Sequence, residues 1–234
     1  MSLSCPSVAE ILADVGFDWL FIDSEHGAMD ASEIQSILQV VQNKCPCIVR
    51  IPSDDEVFIK KALDVGASGI IVPMVNSAES AQRIVELAKF PPDGRRGVGV
   101  ARAHGYGMKF AEYMETANDE IVIIIQVEHI DAVHNIESIV KVPGLDAVII
   151  GPYDLSGSIG KPGQVMDDEV QKHIKKVFDV CNATDMPLGI FGINAEMAQP
   201  FIEQGFSLVV VGIDTLYLAT AAEATLGKLR KSAV

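Results

Sequence analysis

The stretch GLDAVIIGPYDLSGSIG, residues 144–160, decides how the chain is read. Residues 147–150 form a short apolar, β-branched run, the mark of a buried strand. Gly151 and Pro152 end it, because glycine admits unusual dihedrals and proline offers no N–H to a ladder. Asp154 stands just past that strand end, where a carboxylate is costly unless a cation or N–H donors meet it. Residues 121–127, IVIIIQV, run in the same way into Glu128. Two strands that each end in an acid outline a metal site. The alternative open at this point is that both acids are helix N-caps or ion-pair partners.

The same grammar repeats along the chain. Apolar runs predict strands over 19–22, 47–51, 69–75, 121–127, 145–150, 187–191 and 208–211, and helical spacing fills the intervals. Helices are expected over 7–15, 31–43, 55–65, 77–88, 110–117, 131–140, 168–183, 195–203 and 216–230. Ser7, Asp30 and Ser77 are placed as N-caps. Gly16, Gly66, Gly144 and Gly205 each follow a helix and precede a strand. The segments 95–107, with four glycines, and 151–165 read as irregular loops. Short, uniformly apolar strands alternating with helices belong to a parallel sheet covered on both faces. The polar residues Asp23, Glu25, His26, Arg50, Glu128 and Asp154 gather just past strand ends, where barrel enzymes keep their sites. The pattern therefore predicts an α/β fold, a (β/α)8 TIM barrel, over residues 1–234 as one domain. It has seven strands and opens on a helix, so the first strand of eight is missing. No Gly-rich phosphate fingerprint follows the first strand, which argues against a dinucleotide fold.

Of the 234 residues, 49% are hydrophobic and 21% charged, enough for a sizeable core. A formal charge of -14 disfavours nucleic acid and anionic membrane as partners. No leader pattern opens the chain, and no apolar run approaches the about 20 residues of a membrane span. Cys5, Cys45, Cys47 and Cys181 lack disulfide or zinc spacing, which points to reduced thiols in a cytoplasmic protein.

Two carboxylates suit a hard divalent ion such as Mg2+ or Mn2+ and leave positions open for water and substrate oxygens. His26, with a reference pKa of about 6.5, is a ready proton acceptor or else a histidine satisfied by a loop carbonyl. Arg50 suits an enolate or carboxylate, or else an ion pair. Gln126 precedes Glu128 by two and shares its side of the strand. Asp64, taken alone, is a solvated helix residue. No lysine stands at a strand end, which disfavours a Schiff base and favours metal-assisted carbanion chemistry.

Taken together, GFDWLFIDSEH, CIVRIPSDDEVFIKKALDVGASGIIVPMV, FPPDGRRGVG, IIIQVEH and GLDAVIIGPYDLS resemble the HpcH/HpaI aldolases, metal-dependent (class II) pyruvate aldolases on a (β/α)8 barrel. The resemblance runs from Val8 to the last helix. It implies Glu128 and Asp154 as ligands of a divalent cation (Mg2+, Mn2+ or Co2+). His26 becomes the proton acceptor, working through a bound water, Arg50 the stabiliser of an enolate, and Asp64 the aspartate that raises the basicity of the histidine. Substrate contacts fall on Gln126, on Arg50 and on the backbone of Tyr153 and Asp154. The family is similar in forming a hexamer, a trimer of dimers that exchange the last helix. Two departures stand out: the absent first strand, and Tyr153 where many relatives carry Ala or Ser.

The implied reaction is reversible cleavage of a 4-hydroxy-2-oxo acid to pyruvate and an aldehyde. The loop residues Arg95, Arg96, Arg102, His104 and Tyr106 are candidates for gripping the aldehyde half, or else form a surface or subunit-contact loop. The rival readings are an acyl-CoA lyase on a related barrel and an inactive metal-binding scaffold.

Overall fold

The computed structural model describes residues 1–42 and 44–231. Seven strands, β1 Leu20–Asp23, β2 Cys47–Arg50, β3 Gly69–Val72, β4 Val122–Val127, β5 Ala147–Ile150, β6 Leu188–Gly192 and β7 Leu208–Val211, pair in parallel in sequence order. The helices are α1 Pro6–Val15, α2 Ala31–Val41, α3 Glu56–Asp64, α4 Ala78–Ala88, α5 Phe110–Glu120, α6 Ile130–Ile139, α7 Pro152–Ser158, α8 Asp168–Ala183, α9 Ala195–Gln204 and α10 Asp214–Lys231. This is a barrel of the (β/α) type lacking one strand, as the sequence predicts. Asn43, the last residue of the helix expected over 31–43, lies outside the described residues.

Alternation along each strand divides the core in two. One set of positions, among them Ile22, Val49, Ile70, Ile123, Val148 and Ile190, packs against the helices. The other set, Ile48, Ile71, Ile124, Ala147 and Ile149 with Phe21 and Val210, fills the barrel interior. Burying each of these isoleucines contributes about 1.5–3 kcal/mol. Continued by two residues, the inward positions become Asp23 on β1, Arg50 on β2 and Gln126 on β4. The interior therefore ends in a polar layer at the C-terminal mouth.

β1 and β7 are the borders of the sheet and do not pair with each other. Between them runs a slot of about 620 Å³, lined by Trp19, Phe21, Leu208 and Val210 and flanked by Leu12 and Ile202. The N-terminal residues cross only its upper end. The Met1 amino group donates to the Phe21 carbonyl at 2.6 Å, and Asp23 N–H donates to the Met1 carbonyl at 2.9 Å. The Asp214 carboxylate anchors the same segment by accepting from Ser2 N at 2.9 Å and Leu3 N at 3.0 Å.

Three local expectations need correction. α1 starts at Pro6 without a side-chain cap, and Ser7 lies inside the helix; proline at the first position suits a helix start because the missing N–H would be unpaired there anyway. The loop expected over 151–165 begins instead with α7, again opened by a proline, with Asp154 in its first turn. The loop over 95–107 is tied down by its own cations, as described below. Elsewhere the signals hold: Asp30 makes a reciprocal box with Glu33, and Gly16 and Gly205 close their helices at φ 101° and 103°. α10 carries Leu218 and Leu229 to solvent, 68% and 65% exposed. Among the described residues no helix is long and apolar enough to cross a membrane.

Candidate active site

A cavity of about 330 Å³ opens at the barrel mouth, lined among others by Asp23, His26, Arg50, Gln126, Tyr153 and Asp154. The strand register assembles it. Asp23 and Arg50 are direct partners across β1 and β2, so their side chains meet. Arg50 Nε and Nη2 donate to the two Asp23 oxygens at 2.9 and 2.7 Å. Burial alone would raise the Asp23 carboxyl, but this two-point bond and the charge of Arg50 hold it below its ordinary range. Asp23 also accepts from the backbone N–H groups of Glu25 and His26, at 3.2 and 3.3 Å. One carboxylate thus orients the guanidinium and the turn that carries the histidine.

Glu25 brings a further acid. Its Oε2 lies 3.1 Å from Arg50 Nη1 and 3.9 Å from His26 Nε2, yet accepts no hydrogen bond of good geometry. Burial pushes the Glu25 carboxyl up against the pull of Arg50. His26 itself is open to solvent, with its side chain 70% exposed.

Glu128 is buried and, among the described residues, neither caps a helix nor pairs with a cation. Its Oε1 accepts from Met74 N–H at 2.8 Å, and its Oε2 accepts from the Gln126 amide. His129, not Glu128, caps α6. Met74 reaches Glu128 from a left-handed conformation, φ 55°, unusual for a side-chain-bearing residue. Burial, and then the charges of Glu25 and Asp154, raise the Glu128 carboxyl above its ordinary range. Gly151 leaves the room: a Cβ there would sit 2.9 Å from Gln126 Nε2 and 3.0 Å from Glu128 Oε2.

This donor set fits a hard divalent cation. Among the described residues buried Glu128 has no cationic partner, and its Gln126 partner lines the cavity together with exposed Asp154. Among the described residues no three His, Cys, Asp or Glu side chains form a ready-made ligand cluster.

Of the residues expected from sequence, His26, Arg50, Gln126, Tyr153 and Asp154 share the cavity, and Glu128 stands behind Gln126. The Gln126 amide nitrogen donates one N–H to Glu128, which leaves its second N–H and its carbonyl oxygen for other partners. The Tyr153 ring lies 6.5 Å from Phe191, edge-on. Asp64 is not brought to His26 within the chain. α3 runs back from the C-terminal end of β2 toward the start of β3, so its last residue, Asp64, sits at the opposite barrel face. There Asp64 accepts from Arg96 Nη2 at 2.7 Å.

The cations of the 95–107 loop are likewise turned away from the cavity. Arg96, 3% exposed, stacks 4.5 Å over the Phe90 ring. Arg102 donates to the Val65 carbonyl at 2.8 Å, and buried His104 binds the loop's own backbone at Gly99, Ala101 and Gly107. They serve the loop's packing, because buried polar groups need hydrogen-bond partners and these were the nearest. Sequence reading noted Asp23 and Glu25 only as polar strand-end residues and missed Met74, whose contribution is a backbone N–H that no side-chain pattern signals.

The family model for HpcH/HpaI aldolase/citrate lyase matches residues 1–221. A 4-hydroxy-2-oxovalerate aldolase of Novosphingobium aromaticivorans is 40% identical over 224 residues, 95% of this chain and 85% of the relative. A 4-hydroxy-2-oxo-heptane-1,7-dioate aldolase of Escherichia coli is 38% identical over 230 residues, 96% of this chain and 86% of the relative. A crystal structure of an HpcH/HpaI aldolase/citrate lyase family protein from Burkholderia cenocepacia J2315 superposes with a TM-score of 0.95 at 33% identity, covering 98% of this chain and 92% of that one.

Proposed function

The chain belongs to the HpcH/HpaI aldolase/citrate lyase family, and from that premise we propose that it is a carbon–carbon lyase that reversibly cleaves a 4-hydroxy-2-oxo acid to pyruvate and an aldehyde. The observation that supports the reading is buried Glu128, without an ion-pair partner among the described residues and bonded to Gln126, at the cavity that Asp154, His26 and the Asp23–Arg50 pair line. We read residues 1–234 as a single aldolase barrel domain.

A divalent cation held by Glu128 and Asp154, Mg2+, Mn2+ or Co2+, supplies Lewis acidity toward a keto oxygen when bound. Met74 N–H and Gln126 each occupy one Glu128 oxygen, which fixes the carboxylate plane and leaves its outer lone pairs available. Arg50, locked by Asp23, keeps N–H donors for the oxygen on which negative charge develops. His26 accepts the proton of the 4-hydroxyl, directly or through a water. The C3–C4 electron pair passes to the pyruvate enolate as the aldehyde carbonyl forms, and a proton returned to C3 completes pyruvate. The backbone at Tyr153 and Asp154 lines the keto-acid end.

If Asp64 raises the basicity of His26, as the resemblance implies, it does so across subunits, since one chain holds the two at opposite barrel faces. The apolar residues that α10 and the 95–107 loop expose, Leu218, Leu229, Val98 and Val100 among them, support a homo-oligomer, and we propose the hexamer of exchanged last helices. Free, mostly buried cysteines support a cytoplasmic home.

The test is replacement of Glu128 or Asp154 by alanine. Both aldol cleavage and metal-dependent proton exchange at the pyruvate methyl should be lost; full activity in EDTA would end the proposal.

A further inference from the structure

We propose that Glu25 is a positioning residue of this site, seated between His26 and Arg50 to offset the positive charge that the imidazole takes up and to release the guanidinium to the enolate. The inference rests on the aldolase reading above and gives a role to an acid that the reading leaves idle.

The turn after β1 sets where Glu25 stands. Ser24 donates from its backbone N–H and from its hydroxyl to the Arg50 carbonyl, at 2.9 and 2.7 Å. The Glu25 and His26 N–H groups donate to one oxygen of Asp23, at 3.2 and 3.3 Å. The backbone that carries the acid and the imidazole is thus tied to the ends of β1 and β2. From it, Glu25 Oε2 lies 3.1 Å from Arg50 Nη1 and 3.9 Å from His26 Nε2. That oxygen is buried and accepts no hydrogen bond of good geometry. A carboxylate oxygen kept from water in this way costs free energy in the resting protein, and the cost falls when a cation forms beside it.

Cleavage forms such a cation. His26 becomes an imidazolium on taking the proton of the 4-hydroxyl, and an anionic enolate oxygen appears near Arg50. Asp23 already holds Arg50 Nε and Nη2. Nη1 is therefore the guanidinium nitrogen that Asp23 leaves free, and it is the one Glu25 faces. A carboxylate that leans from Nη1 toward the imidazolium offsets the new cation and turns Nη1 over to the new anion. Glu25 itself gains no proton and touches no reacting atom; it acts through its two neighbours. The 3.9 Å gap to Nε2 is wider than a direct bond and suits one bridging water. An Asp64 supplied by a neighbouring subunit takes the other ring nitrogen, Nδ1, so the two acids serve His26 together.

The experiment measures cleavage of 4-hydroxy-2-oxopentanoate with Mn2+, and its inhibition by pyruvate, in wild type, Glu25→Gln and Glu25→Asp. Glu25→Gln keeps the shape and removes the charge. Its kcat should fall about ten- to a hundredfold, the scale of a hydrogen bond to a charged group. Pyruvate, freed of a competing anion at Arg50, should bind this variant about two- to fivefold tighter. Glu25→Asp keeps the charge and should recover part of kcat while binding pyruvate as wild type does. In a His26→Ala background the Gln substitution should lower kcat no further, because the imidazolium it serves is gone. Wild-type kcat in Glu25→Gln, loss of kcat and pyruvate affinity together, or a full further loss in the His26→Ala background each overturns the inference while the aldolase reading stands. A wild type that neither cleaves the substrate nor exchanges pyruvate methyl protons removes that reading, and the inference with it.

Discussion

Gly151→Ala tests whether the position of Glu128 is set by close packing. At φ -95° and ψ 89° Gly151 lies outside the left-handed region, so alanine meets no backbone strain and the effect is one of contact. The added carbon would lie 2.9 Å from Gln126 Nε2 and 3.0 Å from both Cβ and Oε2 of Glu128. These are several tenths of an ångström inside ordinary contact. Neither neighbour yields freely: Gln126 is bonded to Glu128, and Glu128 is held from the other side by Met74 N–H. Overpacking of this kind costs about 1–3 kcal/mol of stability. A displacement approaching an ångström at a reacting centre costs about a hundredfold in rate. The expected outcome is a folded protein with a modestly lower urea midpoint, kcat/KM down about a hundredfold and Mn2+ affinity weakened with it. Unchanged kcat/KM and unchanged Mn2+ affinity by calorimetry would refute the claim that Gly151, Gln126 and Met74 together fix the Glu128 carboxylate.

Asp214→Ala removes the acceptor for Ser2 and Leu3 and should cost about 2 kcal/mol, read from urea unfolding, since hydrogen bonds to a charged group contribute more than neutral ones. Asp23 has a folded pKa below its ordinary 3.8. Its stabilisation is therefore complete above that value and disappears as pH falls through the lower folded value. Wild type should lose stability in this acid window more steeply than Asp23→Asn, and parallel curves would contradict the Arg50 pairing. Mixing dissociated His26→Ala and Asp64→Ala subunits and reassembling them should restore part of the activity that each lacks. If the mixture stays as inactive as its parents, Asp64 does not serve a neighbouring His26.

The barrel was legible because its signals are local. Runs such as IVIIIQV bury on both faces whatever surrounds them, and glycines such as Gly16 and Gly205 are needed wherever a helix turns into the next strand. The acids at strand ends were legible for the same reason: Glu128, four residues past inward Ile124, and Asp154, just past the Gly151–Pro152 break, must lie near the mouth. Contacts set by register or by chain reversal were not. The Asp23–Arg50 pair depends on which residues of β1 and β2 lie side by side. The left-handed turn at Met74 has no marker in a methionine. The place of Asp64 at the far face was readable, since a helix capped at Asp55 ends there. The packing of Arg96 and His104 was not legible because nothing local shows that Phe90 and Tyr113 would cover them. α7 was missed when its glycines were weighed above Pro152 as a helix start.

The unjoined borders of β1 and β7 carry a consequence for behaviour in solution. Each presents main-chain groups with no ladder partner, the kind of rim onto which an extended segment of another molecule can add. The short crossing by Met1 and Ser2 shields one end of that rim and leaves the remainder accessible. What keeps molecules apart is their shared negative charge, -14 for the chain, and dissolved ions weaken that repulsion beyond about 10 Å at 0.1 M. Turbidity should therefore grow with ionic strength as well as with concentration, opposite to a surface held together by ion pairs.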